Sequence, residues 1–239
     1  MSLIGSTIEE KIWNFFKTKG LNNFGIAGLM GNLYAESALN PKNLQNSYEK
    51  SLGYTDEKYT TAVDNGKYKN FVKDAAGYGL AQWTYWSRKQ NLLNYAKACS
   101  KSIGDLEMQL EFLYKELSEG YITVLSTLKS ASSVLEASNS VLLKFERPAD
   151  QSKSVQSKRA SYGQKYYDKF AKEDTVMAEI KKDNTPDAWA KEAVDWAVEN
   201  QILFGDDTGN YKLHDICTRQ EILIFINRVY NLIKEGRAL

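Results

Sequence analysis

Apolar side chains recur at helical intervals over most of the chain, and this pattern predicts a mostly α protein. Thr7 and Glu10 have the spacing of a capping box, so the first helix begins there, and it ends at Gly20. Further helical patterning covers 87–100, 105–118, 121–129, 133–146 and about 155–171. Residues 41–77 show no sustained period, so we expect long loops with short strands there.

A glutamate, Glu36, lies near the end of the second predicted helix. This helix begins after Asn22 and Asn23 and ends near Ser37, and its apolar stripe consists of Ile26, Leu29, Met30 and Leu33. Glu36 lies along the stripe in the last turn. Partial burial and the negative end of the helix dipole both disfavour a carboxylate, so we expect Glu36 to retain its proton. A carboxyl protonated near neutral pH is what a glycosidase needs as its general acid.

Composition narrows the chemistry further. Lys and Arg number 31 against 30 for Asp and Glu, which leaves no global field to attract nucleic acid or an anionic membrane. The chain has one histidine and two cysteines, too few parts for a His-ligated zinc site or a Ser-His-Asp triad. We therefore expect no metal, no cofactor and no nucleic-acid partner, and a chemistry carried by carboxylates.

An aromatic cluster in the middle of the chain points to a saccharide cleft. Carbohydrate sites combine flat rings for the apolar faces of sugars with amides for hydroxyl and N-acetyl groups. The predicted substrate-binding residues are Tyr78, Gly79, Gln82 and Trp83, with Tyr85 and Trp86 close by. We expect two of the four aromatic residues to be core, and the sequence does not tell which.

A second carboxylate is harder to identify. An inverting glycosidase places a base about 6.5–9.5 Å from the acid, and a retaining one places a nucleophile at about 5–5.5 Å. Asp74, just before the glycine-rich segment, and Glu49, in the stretch after Glu36, are the main candidates, and Asp56 and Asp64 are the others. For each of these carboxylates the alternative interpretation is a solvent-exposed charge on a loop, with no role in catalysis.

The charged, weakly periodic stretch around Lys172–Thr185 indicates a linker. We predict a catalytic domain over 1–172, a linker over 173–185 and a second domain over 186–239. Two apolar stripes, around Trp196 and around Phe225, make the second domain a helix-loop-helix unit. From Pro186 onwards it carries nine acidic and six basic residues, which leaves a mildly basic larger domain that suits an anionic polymer.

Two motifs carry a family resemblance. GLMGNLYAESALNP, followed by GYGLAQWTYWSR, resembles the phage tail lysozyme family of the lysozyme and lytic transglycosylase superfamily. The similarity extends through QLEFLYKEL and FERPAD and covers most of residues 5–170. The resemblance implies a lysozyme-like α+β catalytic domain, Glu36 as the catalytic acid, and a sugar-binding cleft lined by the segment that contains Gly79 and Gln82.

The second domain resembles a single S-layer homology repeat, because Thr218, Arg219, Gln220 and Glu221 stand where that family has its T-R-A-E signature. The resemblance implies that Arg219 contacts an anionic secondary cell-wall polymer. Such repeats usually occur in threes, so a lone repeat suggests a homo-oligomer formed through this domain. The alternative is a helical pair that only caps or dimerises the protein.

These features predict an endolysin or tail lysin that hydrolyses β-1,4 glycosidic bonds of peptidoglycan as an N-acetylmuramidase. Glucosaminidase and lytic transglycosylase are alternatives within that class, and a non-catalytic wall-binding or virion protein is the alternative outside it. The start MSLIGSTIEEK lacks the regions of a secretory signal, and nowhere do eighteen apolar residues run together. We therefore expect synthesis in a host cytoplasm, no membrane insertion, and action at the bacterial cell wall.

Overall fold

The structure is a computed structural model, and it describes residues 3–171, 183–206 and 209–236. The chain divides into two compact units, Met1–Lys172 and Glu173–Leu239. Most of the predicted linker, residues 173–182, lies outside the described residues.

The larger unit is built almost entirely of helices, which confirms the mostly α prediction. Its two π-helical segments continue directly from α8 and α9. The helices are α1 (Ile8–Thr18), α2 (Asn23–Ser37), α3 (Asn46–Leu52), α4 (Asp56–Asp64), α5 (Trp86–Ala98), α6 (Leu106–Gly120), α7 (Ile122–Ser130), α8 (Val134–Ser140) with Val141–Glu146, and α9 (Lys153–Tyr166) with Tyr167–Ala171.

The predicted start of α1 is confirmed by its hydrogen bonds. The Glu10 amide donates to the Thr7 hydroxyl, and the Glu10 carboxylate accepts from the Thr7 amide, which completes a capping box. The helix then buries Ile12, Trp13 and Phe16 in the core. Gly20, with φ +77°, follows the helix in the left-handed conformation.

The second helix, α2, is the centre of the larger unit. The sequence predicts one apolar face, but residues 25–33 are buried on every side. Three glycines make this enclosure possible. A Cβ at Gly25 would lie 1.8 Å from the Leu128 carbonyl oxygen of α7, and one at Gly28 would lie 2.6 Å from Ala137 of α8. A Cβ at Gly31 would lie 2.5 Å from backbone atoms of α9, so α7, α8 and α9 each approach α2 at a glycine.

The prediction of long loops with short strands over 41–77 is wrong in part. This stretch contains α3 and α4, and the described residues there form no strand, only isolated bridges that join Leu44 to Tyr78 and Tyr78 to Trp83. The physical reason is the shortness of the two helices. α3 buries none of its side chains, so its sequence carries no apolar stripe that could reveal a helix.

The smaller unit contains the two predicted helices, α10 (Lys191–Glu199) and α11 (Arg219–Lys234). A capping box between Thr218 and Glu221 starts α11. Trp189 lies before α10 and is exposed. His214 bonds Asp183 through its amide (2.5 Å) and through Nδ1 (2.6 Å), and this contact raises the pKa of His214.

In the part of the chain that the structure describes, no helix combines the length and the apolar character needed to cross a membrane.

Candidate active site

Glu36 lies in the last turn of α2, at the edge of a cavity of about 450 Å³. Its side chain is 19% exposed. The helix ends directly after it, because Ala38 adopts a left-handed conformation and the Ser37 hydroxyl donates to the Leu80 carbonyl (2.9 Å). These contacts place Glu36 beside the glycine-rich segment that follows in the sequence.

The cavity draws its lining from four parts of the chain: the end of α2, the start of α3, the segment leading into α5, and the end of the π-helical segment after α8. Amide, hydroxyl, phenol, carboxyl and guanidinium groups therefore converge on one space. The lining residues are Glu36, Gln45, Ala81, Gln82, Thr84, Tyr85, Arg88, Glu146 and Pro148.

The glycine-rich segment folds into a tight turn. Tyr78 and Trp83 exchange two backbone hydrogen bonds (3.2 and 3.0 Å), and Gly79 turns the chain with φ +75°. A Cβ at Gly79 would lie 2.7 Å from the buried Gln109 side chain, so glycine is required there for both conformation and space. Gln82 lines the cavity, and its amide donates to the Asn43 carbonyl and side-chain oxygens (3.1 and 2.9 Å).

The structure separates the four aromatic residues of this region into two pairs. Tyr78 and Trp83 are fully buried, whereas Tyr85 and Trp86 are 64% and 58% exposed. Tyr85 lines the cavity and offers a ring to a ligand. Trp83 instead supports the site from the core, because its Nε1 donates to Glu116 (2.7 Å). Neither Tyr78 nor Trp83 is placed to touch a sugar in this cavity.

The structure does not bring the candidate second carboxylates to Glu36. Asp74 is buried in an ion pair with Lys89 (2.5 Å) and accepts bonds from the Tyr59 and Tyr68 hydroxyls. Burial lowers the pKa of Lys89, while burial and Asp74 together raise the pKa of Tyr68 to about 12. These groups form a satisfied polar cluster within the fold.

The other three carboxylates also lie outside the cavity lining. Glu49 is partly exposed on α3. Asp56 accepts bonds from the Asn40 amide group and the Leu44 backbone, and Asp64 accepts from the Ser102 hydroxyl and the Ile103 backbone. Asp56 and Asp64 therefore hold loops in place.

Arg159 of α9 contacts Glu36, and nothing in the sequence analysis pointed to it. Its Nη2 lies 2.5 Å from Glu36 Oε1, and its Nη1 donates to Asn32 Oδ1 (3.3 Å). The Asn32 amide in turn donates to the carbonyl and hydroxyl of Ser138 (3.1 and 3.0 Å). This buried chain of hydrogen bonds fixes the position of Arg159 between α2, α8 and α9. Arg159 brings a positive charge to Glu36. The sequence-based prediction, which considered only burial and the helix dipole, did not include this charge.

Glu146 is the second residue of the site that the sequence analysis passed over. It closes the π-helical segment after α8, and Arg147 turns away from it in a left-handed conformation (φ 51°). π-helical segments occur frequently at functional sites. Burial, and then the Glu36 carboxyl, hold the pKa of Glu146 well above its usual range, while Arg159 and Arg88 partly oppose them.

Arg88 completes the charged groups around the cavity. Its Nε and Nη2 bind the two oxygens of Glu116 (2.8 Å each), and its guanidinium lies 4.7 Å from the Phe145 ring centroid. Arg88 therefore ties the start of α5 to α6 and to the π-helical segment.

The sequence carries no signal that would single out Glu146 or Arg159. The FERPAD motif contains Glu146, but the pattern of the motif alone assigns this residue no role. Arg159 is one basic residue among many in a helical stretch.

The larger unit also matches a known family as a whole. A family model described as phage tail lysozyme covers residues 7–170. The match spans α1 through the second π-helical segment, and it includes Glu36, the glycine-rich turn, Glu146 and Arg159. The chain therefore belongs to the phage tail lysozyme family, whose members are lysozyme-like peptidoglycan hydrolases that act on the bacterial cell wall.

Proposed function

We propose that the larger unit hydrolyses β-1,4 glycosidic bonds of bacterial peptidoglycan as an N-acetylmuramidase, with Glu36 as the general acid. In this reaction the Glu36 O–H protonates the glycosidic oxygen as the bond from that oxygen to the anomeric carbon breaks. The observation that carries the proposal is the position of Glu36 at the edge of a polar cavity, beside the turn that holds Gln82.

The cavity has the chemistry that an amino-sugar polymer requires. Its volume of about 450 Å³ lies within the usual range of ligand sites. The Gln45 and Gln82 amides and the Thr84 hydroxyl can bond hydroxyl and N-acetyl groups, and the exposed Tyr85 ring can cover the apolar face of a pyranose. These groups support binding next to the acid.

A lytic transglycosylase is a second candidate, and one observation favours it. Among the described lining residues the only carboxyls are Glu36 and Glu146, and burial together with Glu36 holds the pKa of Glu146 well above its usual range. This lining therefore offers no readily ionised second carboxylate to a bound sugar. A transglycosylase dispenses with that group, because Glu36 alone can donate a proton and then accept one from the 6-hydroxyl of the sugar. A glucosaminidase would differ only in which sugar occupies the cleft.

Clearing of Gram-positive cell walls tests the role of Glu36. We expect wild-type protein to reduce turbidity and Glu36→Gln to be slower by about 10²-fold or more, because general acid catalysis contributes about 10²–10⁴-fold. Glu119→Gln, at an exposed position on α6, is the matched control and should clear at the wild-type rate. Equal clearing by wild type and Glu36→Gln removes Glu36 from the mechanism.

No clearing by wild-type protein supports the non-catalytic alternative, a wall-binding or virion protein. Mass spectrometry of the products distinguishes the activities. Reducing muramic ends report an N-acetylmuramidase, reducing glucosamine ends a glucosaminidase, and 1,6-anhydro ends a transglycosylase. Whether the protein acts as a tail lysin or as an endolysin concerns when it acts and does not alter these products.

For the smaller unit we propose cell-wall binding through Arg219 to an anionic secondary polymer. Arg219 is exposed in the first turn of α11, directly after the capping residue Thr218. The positive end of the helix dipole and the guanidinium both favour an anion at this end. Self-association through this unit is part of the proposal, because α11 leaves Leu223, Ile226 and Tyr230 more than half exposed.

A further inference from the structure

Glu146 has a buried carboxyl oxygen in the cavity that it shares with Glu36. Its Oε1 is buried, and no donor among the described residues forms a hydrogen bond with it. The Glu36 carboxyl lines the same cavity and interacts with the Glu146 carboxyl, whose pKa it raises. Two carboxylates have no hydrogen between them to share, so a bond at this contact requires one of the two groups to be protonated.

The charges around the two carboxyls balance when they hold one proton. Arg159 binds Glu36 at 2.5 Å, and Arg88 lines the same cavity while it is bound bidentately by Glu116. Glu36, Glu146 and Glu116 supply three negative charges against the two guanidinium charges. One proton brings the sum to zero, and its loss leaves an uncompensated negative charge in a largely buried site, which is unfavourable.

We propose that Glu146 is a positioning residue for Glu36, because the two carboxyls share one proton and Glu146 keeps that proton available to Glu36. This inference rests on the proposed glycosidase function. Burial and the neighbouring Glu36 raise the pKa of Glu146, which agrees with a proton held at this contact near neutral pH.

The proton moves in two balanced transfers. The O–H bond of Glu146 breaks as an O–H bond forms on Glu36. The Glu36 proton then passes to the glycosidic oxygen, which takes the electron pair of the bond to the anomeric carbon and leaves as a hydroxyl. Both carboxyls are then ionised, so Glu36 is a stronger base and removes a proton from the attacking water or sugar hydroxyl. That proton restores the starting state of the pair.

The protonation of Glu146 argues for a role through Glu36. A nucleophile or an inverting base must meet the sugar as a carboxylate. Burial and Glu36 hold the pKa of Glu146 well above its usual range, so Glu146 does not readily supply that carboxylate. Its proton is instead available to Glu36.

The pH dependence of wall cleavage by Glu146→Gln tests this inference. Glutamine keeps the size of the side chain and can donate to Glu36, but it has no proton to transfer to Glu36. We expect the basic limb of kcat to move down by at least about one pH unit and kcat at pH 7 to fall about tenfold or more. Glu146→Asp should restore part of the shift, and Glu119→Gln should leave the profile unchanged.

A second measurement does not depend on activity. Infrared titration of the wild-type protein should show a protonated carboxyl at pH 7 that is missing from Glu146→Gln, with circular dichroism verifying that the variant is folded. Absence of that signal from wild type, or an unchanged pH profile in the folded variant, overturns the inference. If wild type cleaves no glycan, the proposed function fails, and the infrared result still decides whether the proton is shared.

Discussion

At the scale of single residues, the surroundings of each carboxyl decide its role. Glu36 meets Arg159 at the edge of a cavity, Glu146 meets another carboxyl, and Asp74 is enclosed by Lys89 and two tyrosine hydroxyls. All three are partly or fully removed from water. Only the first two line a space that a ligand can enter, so the proposed chemistry is assigned to them, whereas Asp74 is enclosed within the fold.

This division gives a prediction for Asp74→Asn. The change leaves the fully buried Lys89 ammonium without its anion, which should lower the free energy of unfolding by about 3–5 kcal/mol in urea titrations. Glu57→Gln breaks the exposed Lys42 pair and should cost no more than about 1 kcal/mol.

Wall cleavage per folded molecule should be unchanged in Asp74→Asn, because Asp74 does not line the cavity. A folded Asp74→Asn protein of normal stability with greatly reduced cleavage would instead restore Asp74 as a candidate second carboxylate.

At the scale of elements, α2 assembles the site by bringing three helices close to its backbone. Gly31 admits the backbone of α9 beside it, and Arg159 of that helix then reaches Glu36. Gly28 admits α8, whose Ser138 binds Asn32. The glycines of the motif therefore set the distance between Glu36 and its cationic partner Arg159.

A methyl group at position 31 tests this arrangement. A Cβ there would lie 2.5 Å from the Arg159 carbonyl oxygen and from the Gly163 amide nitrogen, both of them backbone atoms that cannot move away alone. We expect Gly31→Ala to destabilise the protein by about 1–3 kcal/mol in thermal or urea unfolding, and to slow wall cleavage because α9 carries Arg159 away from Glu36.

Gly120→Ala is the control, because Gly120 closes α6 with no atom within 4 Å of the added methyl group. It should leave stability and activity close to wild type. Native stability of Gly31→Ala would show that α2 and α9 tolerate a wider separation than their packing indicates.

At the scale of the whole molecule, the chain combines a unit with a large buried core and a smaller unit with many exposed apolar side chains. Attachment of an enzyme to its polymer raises the local substrate concentration even when each contact is weak. The proposed division of labour is cleavage by the first unit and retention on the wall by the second.

Binding to purified walls tests the second unit. We expect Arg219→Ala in the full chain to reduce the fraction of protein that sediments with walls by about threefold or more, and removal of the secondary polymers to reduce wild-type binding equally. Lys234→Ala removes the same charge at the other end of α11 and should bind normally. Undiminished binding of wild type to stripped walls contradicts the role given to Arg219.

Much of the fold was predictable because its signals are local. The capping box of α1 and the apolar periodicity of α6 and α7 identify helices without reference to the rest of the chain. α3 is not predicted because none of its side chains is buried, and a periodic pattern of apolar residues reveals only helices that have a buried face. The two core aromatics, Tyr78 and Trp83, could not be told from the exposed Tyr85 and Trp86, because a tight turn has no repeating pattern of burial.

The helical class and the place of Glu36 at a helix end follow from the sequence, because short-range spacing encodes both. The glycine-rich turn as a neighbour of Glu36 is what the family resemblance implies. The groups that surround the Glu36 carboxyl became known only from the folded structure. Arg159 and Glu146 lie 123 and 110 positions further along the chain, and the close packing of α2, α8 and α9 brings them to Glu36. The place of Glu36 at a helix end is encoded locally in the sequence, whereas the charges around Glu36 come from residues that only long-range packing brings close.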